Sequence, residues 1–277
     1  MRTEPGTART RGRTRLAGLD FDRLTEAQAV RHIIGASHRG EGGWVATPNV
    51  DICRQARRDP SLRHLVGTAT LVVPDGMPLV WAARLSGHPL PERVAGGSLI
   101  FSLSEAAARQ DLSIYLLGGA PGVPQRAGEE LSRRYPGLRV AGADSPPLGF
   151  DTDPRAIERV RDRVAAATPD IVYVGLGFPK QERLITSLAP ACPRAWFIGC
   201  GAAIPYAAKT LPRPPAWMRR AGLAWLFRLF NEPRRLFRRY LVHDLPFAIR
   251  LLTSAAAGRF NRGHSWLGCS CHERRNA

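Results

Sequence analysis

The chain has 277 residues, 44% of them hydrophobic, and a formal charge of +17. That length suits one large α/β domain, or a domain with an appendage, and the apolar content can build a sizeable core. The basic residues are nearly all arginine, with only Lys180 and Lys209 as lysines; because guanidinium grips phosphate with a flat two-pronged fork, the balance points to phosphate-bearing partners such as nucleotide, nucleic acid or an anionic membrane.

Residues 1–18 carry Arg2, Arg9, Arg11, Arg13 and Arg15 among threonines and glycines. They read as a disordered basic tail. No apolar stretch follows those arginines, so no secretory signal is expected. Residues 19–210 then read as one α/β domain. Its strand candidates are 44–46, 69–73, 113–117, 138–141, 171–174 and 195–198. Helical patterns fall between most of them, for example 97–109, 123–135 and 154–167. This rhythm predicts a Rossmann-like, largely parallel sheet with helices on both faces. Ligands in such sheets bind beyond the carboxyl ends of the strands.

Several of those ends carry distinctive residues. Thr47-Pro-Asn-Val-Asp51 follows the first strand. Thr47 and Asn49 suit hydrogen bonds to a sugar or base, or cap the helix that begins near Val50. Asp75, in Pro74-Asp-Gly76, fits a general base at a strand end and equally a turn residue before glycine. Arg93, just before a glycine-opened helix, can clamp a phosphate or pair with a nearby acid. Gly118 and Gly119 open a glycine turn that would let a diphosphate approach the backbone, although the spacing is only a loose match to a dinucleotide fingerprint. Asp151-Thr-Asp153 resembles a metal-holding Asp-x-Asp, but Pro154 follows it, so it reads as a helix N-cap.

The densest signal is Gly175-Leu-Gly-Phe-Pro-Lys-Gln-Glu182, directly behind the apolar run 171–174. A strand there ends in a glycine turn (Gly175, Gly177), and Pro179 opens the next helix. Lys180, Gln181 and Glu182 fall in its first turn, beside free backbone N–H groups that can hold an anion or a sugar hydroxyl.

Composition changes near Thr210. Residues 211–215 are proline-rich and linker-like, and 211–257 read as a helical appendage. Between Arg213 and Ala277 there are 13 arginines against Glu232, Asp244 and Glu273. Leu223, Leu226, Phe227 and Phe230 follow the spacing of an amphipathic helix. Pro233 starts a second, on which Leu236, Phe237, Tyr240 and Leu241 share one face and Arg234, Arg235, Arg238 and Arg239 the other. Such a basic, aromatic helix suits an anionic membrane surface, or docking on the core with its arginines solvated. An apolar appendage can also cover itself against a second copy of the chain, which leaves a homo-oligomer open. The most apolar stretch, 240–257, is broken by His243, Asp244, Pro246 and Arg250 and falls short of a span. The expected location is therefore cytoplasmic. Cys53, Cys192 and Cys200 sit in apolar surroundings and read as core thiols. Residues 258–277 read as a second disordered tail, where Cys269, Cys271 and His272 offer too few ligands for a closed zinc site. The basic residues match no nucleic-acid motif, which argues against a nucleic-acid partner.

Taken together, and in this order along the chain, Thr47-Pro-Asn-Val-Asp51, Pro74-Asp-Gly76, Glu92-Arg-Val-Ala-Gly96, Leu117-Gly-Gly119, the 175–182 segment, Arg213-Pro-Pro-Ala-Trp217, Trp225-Leu-Phe-Arg228 and Glu232-Pro-Arg-Arg235 resemble the WecG/TagA/CpsF family of bacterial glycosyltransferases. The resemblance implies inverting transfer of a sugar (N-acetylmannosamine-like, a uronic acid or a hexose) from a UDP-sugar to an undecaprenyl-diphosphate-linked acceptor in cell-surface polysaccharide assembly. It implies no cofactor and no obligatory metal. The appendage would lie on the inner face of the plasma membrane and help to close the active site. By the same resemblance Asp75 is the base and Gln181 acts beside it. Thr47, Asn49 and Arg93 contact substrate, and Arg213, Arg228 and Arg235 face the lipid diphosphate. The 175–182 glycines, Lys180, Glu182 and the pair Gly118–Gly119 complete the substrate-binding set. Four positions depart from the family pattern: Pro205 replaces an acid, Lys209 a glycine, Ala224 a glutamate and Ser98 an acid. The alternative is a non-catalytic member that only binds a nucleotide-sugar or a lipid.

Overall fold

The computed structural model describes residues 12–264. It opens with a two-stranded antiparallel hairpin, β1 (Arg13–Leu16) and β2 (Leu19–Asp22), followed by α1 (Glu26–His38). The main sheet then begins with β3 (Gly43–Ala46), two helices α2 (Val50–Arg58) and α3 (Pro60–Gly67), and β4 (Leu71–Val72). Helices α4 (Met77–Leu85) and α5 (Gly96–Arg109) lead to β5 (Ser113–Leu117), α6 (Val123–Arg134) and β6 (Arg139–Asp144). After α7 (Pro154–Ala167) come β7 (Ile171–Val174), α8 (Lys180–Leu188), β8 (Trp196–Gly199) and the short α9 (Ala203–Ala207).

The six strands pair in parallel in the order β4-β3-β8-β7-β5-β6. The inner strands β5, β7 and β8 are buried along their whole length, which is why they read as unbroken apolar runs rather than as alternation. Two apolar clusters, one centred on Phe197, Val172 and Leu184 and one on Ile198, Tyr173 and Leu99, pack the two faces. The expected parallel α/β sheet and all six strand positions are borne out, with ends shifted by up to three residues.

Two boundaries are corrected. Arg13–Leu16 is a strand, not part of a free tail. Leu16, Leu19 and Phe21 enter the core, and the fully buried Asp22 carboxylate accepts from Arg13 Nε at 3.0 Å and from the Val72 backbone at 2.9 Å. At the other end, the last helix runs on to His264 rather than stopping near 257. Leu251 and Ala255 are buried, and the alanine run there favours helix propagation. The cysteines and histidine at 269–272 lie outside the described residues.

The appendage consists of α10 (Ala216–Arg220), α11 (Ala224–Asn231), α12 (Pro233–Phe237), a π-helical turn (Arg238–Asp244) and α13 (Leu245–His264). The expected shared face of Leu236, Phe237 and Tyr240 does not form. Leu236 is fully buried and Tyr240 and Leu241 are half-buried, whereas Phe237 is 56% exposed, because neighbouring helical residues point about 100° apart. Among the described residues no helix is long and apolar enough to cross a membrane.

The buried Asp22 carboxylate ties the hairpin to the edge strand β4. Asp22→Ala leaves the Val72 N–H and the Arg13 guanidinium without their acceptor, and about 2 kcal/mol of unfolding free energy will be lost in urea titration.

Candidate active site

The carboxyl ends of β3, β4, β7 and β8 open into one cleft of about 910 Å³. The appendage forms its opposite wall through Trp225, Arg228, Arg235, Arg239 and Tyr240. Backbone contacts between the loops set the floor. Asp75 N donates to Pro48 O at 2.9 Å, and Val94 N donates to Pro74 O at 2.9 Å. These bonds bring Thr47, Asp75 and Arg93 together from three separate loops.

Asp75 stands on this floor with Arg93 Nη1 3.3 Å from its Oδ1 and about a quarter of its side chain still open to solvent. Burial raises its pKa above the ordinary aspartate value, against the pull of Arg93 and Arg228. A carboxylate so placed is a better proton acceptor than a free one. Thr47 is buried and donates from Oγ1 to Gly199 O at 2.9 Å. Asn49 lines the cleft and also caps α2, accepting from Ile52 N at 3.0 Å; the two roles left open by its position coexist. Gln181 lines the cleft from the first turn of α8. Gly175 and Gly177 lie beside it.

Arg213, Arg228 and Arg235 also line the cleft. The 211–215 segment is docked rather than free. Arg213 stacks its guanidinium 4.3 Å from the centre of the Phe101 ring, and Pro214 is buried. Arg228 and Arg235 share Glu232, at 3.7 and 2.7 Å.

Four expected substrate contacts stand outside the cleft lining. Gly118 serves the sheet instead, and Gly119 lies against Val123 at the start of α6. A Cβ on Gly118, at φ 113°, would lie 2.6 Å from Gly175 O, so only glycine lets the ends of β5 and β7 approach this closely. Lys180 points away, to Asp151 Oδ1 at 3.0 Å. Glu182 is buried beneath the cleft. Asp153 is the N-cap of α7, as its position before Pro154 implies, accepting from Arg155 N at 2.9 Å. Among the described residues no group of three or more histidine, cysteine, aspartate or glutamate side chains is gathered in a metal-binding arrangement. Cys53 and Cys200 are buried, and Cys192 is half-buried.

The glycosyl transferase WecG/TagA/CpsF family model matches residues 14–261. The chain belongs to this family. It is 32% identical over 203 residues to the N-acetylglucosaminyldiphosphoundecaprenol N-acetyl-beta-D-mannosaminyltransferase of Bacillus spizizenii (strain W23), covering 73% of this chain and 76% of that one. It is 29% identical to the enzyme of the same name from Bacillus subtilis (strain 168), over 70% and 73% of the two chains. It is 27% identical to that of Staphylococcus aureus (strain MW2), over 80% and 86%.

Several cleft residues of this family member escape a reading of the sequence. Tyr206, Trp81 and Arg219 line the cleft without any local motif. Asp51, inside the first quoted motif, joins a four-charge cluster between α2 and the π turn. Arg54 holds Asp51 by a short ion pair and lies 3.4 Å from Asp244 Oδ1. Arg239 lies 3.1 Å from Asp51 and 3.7 Å from Asp244. Arg239 and Asp244 are five residues apart, about 140° from each other around an α-helix. The i to i+5 pattern of a π turn brings such residues onto one face, and here both grip α2.

Asp244 is the strained member of this cluster. Burial, then the neighbouring Asp51, raises its pKa to about 6, against Arg239 and Arg54. A carboxyl whose folded pKa is raised contributes stability that is full below the unfolded value and is lost as pH rises through the folded one. That window runs from about 4 to about 6 here. Asp244→Asn removes this dependence, so the melting temperature of the variant relative to wild type will be higher at pH 7 than at pH 4 by differential scanning fluorimetry.

Proposed function

We propose that this protein transfers a sugar, N-acetylmannosamine in the first instance, from a UDP-sugar to an N-acetylglucosaminyl-diphosphoundecaprenol acceptor, with inversion and without an obligatory metal. The alternative donors are a uronic acid or another hexose. The observation that carries this reading is Asp75, with its raised pKa and Arg93 beside it, at the floor of a cleft whose opposite wall is rich in arginine. The names of the relatives support the acceptor and the donor sugar.

In this mechanism Asp75 takes the proton from the acceptor hydroxyl as the oxygen attacks the anomeric carbon in line with the departing UDP. Developing charge on the diphosphate is met by guanidinium groups of the cleft, which supply electrostatic stabilisation that a metal supplies elsewhere. Thr47, Asn49 and Gln181 orient the donor. Arg213, Arg228 and Arg235 hold the acceptor's diphosphate. A cytoplasmic protein must meet this lipid at the inner face of the plasma membrane. Exposed Trp217, Phe230, Phe237, Val242, Leu245 and Ile249 on the appendage suit that contact, together with arginines worth roughly 1 kcal/mol each near anionic lipid.

Purified protein incubated with a panel of UDP-sugars and a short-chain acceptor, with and without EDTA, tests the reading. Lipid-linked disaccharide formed from UDP-N-acetylmannosamine in EDTA supports it. UDP binding with no product from any donor favours the non-catalytic alternative. Asp75→Asn will abolish transfer and keep UDP binding by calorimetry. In the wild type the acid limb of turnover will lie above the ordinary aspartate pKa, because the base must be ionised and its proton affinity is raised. Phe230→Asp with Phe237→Asp will weaken sedimentation with anionic vesicles by about tenfold or more while leaving turnover of a water-soluble acceptor near wild type.

A further inference from the structure

Three consecutive residues of a helix point in three directions, about 100° apart. At the start of α8, Lys180 therefore turns outward, Gln181 turns to the cleft and Glu182 turns into the core. Glu182 is only 2% exposed. Its Oε1 accepts from Gln181 Nε2 at 2.8 Å, and its Oε2 is buried without a partner. At the other end of the same amide, Gln181 Oε1 accepts from the Gly201 backbone N–H at 3.1 Å. A backbone N–H can only donate, so this bond fixes which way the amide faces. Gln181 is thus clamped between the loop after β8 and Glu182, with one N–H and one lone pair left over for a ligand in the cleft. The same β8 end receives the Thr47 hydroxyl at Gly199 O.

We infer that Glu182 is a positioning residue that acts through Gln181, holding its amide at the cleft floor without touching substrate. The inference rests on the glycosyl-transfer reading only for its activity readout. A buried carboxyl with one orphan oxygen is costly, and its retention here is explained by what its other oxygen holds. Burial pushes its pKa up to about 7, against the Gln181 hydrogen bond. Oε1 can still accept when Oε2 carries a proton, though more weakly than in the carboxylate, so the clamp persists through that titration. The acceptor, rather than the charge, is what matters, and glutamine offers the same acceptor in the same shape.

A double-mutant cycle over Gln181→Ala, Glu182→Leu and the double variant, with Glu182→Gln beside it, tests this. Turnover at saturating donor is expected to fall in Glu182→Leu to within about threefold of Gln181→Ala, and to fall no further in the double variant. Glu182→Gln should keep at least about a third of wild-type turnover. Losses that multiply in the double variant, or a Glu182→Gln variant as impaired as Glu182→Leu, would overturn the inference. Failure of wild-type protein to transfer any sugar would sink the proposed function instead. The cycle is then read from melting temperatures, where non-additive losses at 181 and 182 support the clamp and additive losses refute it. Glu182→Gln should also gain stability relative to wild type between pH 5 and pH 8, since ionisation of the buried carboxyl is removed. Equal melting differences at the two pH values would mean that the carboxyl is not held as described.

Discussion

The functional cleft depends on four charges that join two parts of the chain nearly two hundred residues apart in sequence. Asp51 and Arg54 stand at the start of α2, directly behind the Thr47 and Asn49 loop, and Arg239 and Asp244 stand on the π turn. The sheet provides only the floor of the cleft. Its opposite wall, with Arg228, Arg235 and Tyr240, is held where the π turn docks on α2 and α13 packs on the core through Leu251 and Ala255. Each acid meets two arginines and each arginine meets both acids, so the removal of any one leaves a buried charge short of a partner. The raised pKa of Asp244 shows that the balance is not complete. The appendage is therefore held partly by an arrangement whose strength depends on pH and partly by apolar burial of Leu236, Leu251 and Ala255, whereas the sheet is held by apolar burial.

The electrostatics of the floor follow a different logic. Asp75 has one close cation, Arg93, and remains harder to ionise than a free aspartate because burial outweighs that cation. Had Arg93 been bidentate, or had a second guanidinium come as close, the carboxyl would be an ion-pair partner and a poor base. The more distant Arg228 reaches Asp75 only through the field, and it is itself partly neutralised by Glu232. Arginine, not lysine, fills these positions, so their charge stays on at any working pH.

Local signals made the sheet legible. Strands β5, β7 and β8 announce themselves as apolar runs of four or five residues, and Pro154 and Pro233 mark helix starts where helices indeed begin. The floor of the cleft was legible for the same reason, since Thr47 follows directly on β3, Asp75 lies just past β4 and Gln181 opens the helix after β7. What could not be read was direction. Lys180, Gln181 and Glu182 are adjacent in a motif, yet only Gln181 reaches the cleft, because neighbouring helical residues diverge. Gly118 and Gly119 look like a phosphate turn, yet Gly118 instead makes room for Gly175 and Gly119 sits against Val123. The pairing of Arg239 with Asp244 was hidden by its spacing, since five residues is not a period that an α-helical pattern search rewards. The hairpin was missed because its arginines resemble a tail, and the buried Asp22 that recruits Arg13 gives no sign of burial in the sequence.

The positions that depart from the family pattern can be weighed in the same terms. Lys209 takes φ 57°, a conformation glycine adopts freely, and its ammonium pairs with Glu130 at 2.5 Å. The backbone geometry is thus kept despite the Cβ, with an ion pair as partial offset. Ser98 donates to Glu26 Oε2 at 2.5 Å, so a carboxylate still stands beside that position, delivered from α1 instead of α5. Pro205 has no such substitute. It lines the cleft on α9 beside Tyr206, and its ring offers no polar group where an acid would accept a sugar hydroxyl. A site built to hydrogen-bond a hydroxyl discriminates strongly, whereas an apolar wall discriminates weakly. Ala224, where the family pattern has a glutamate, lines the same cleft, so on the proposed reading Pro205 and Ala224 are the departures that bear on which donor the cleft selects.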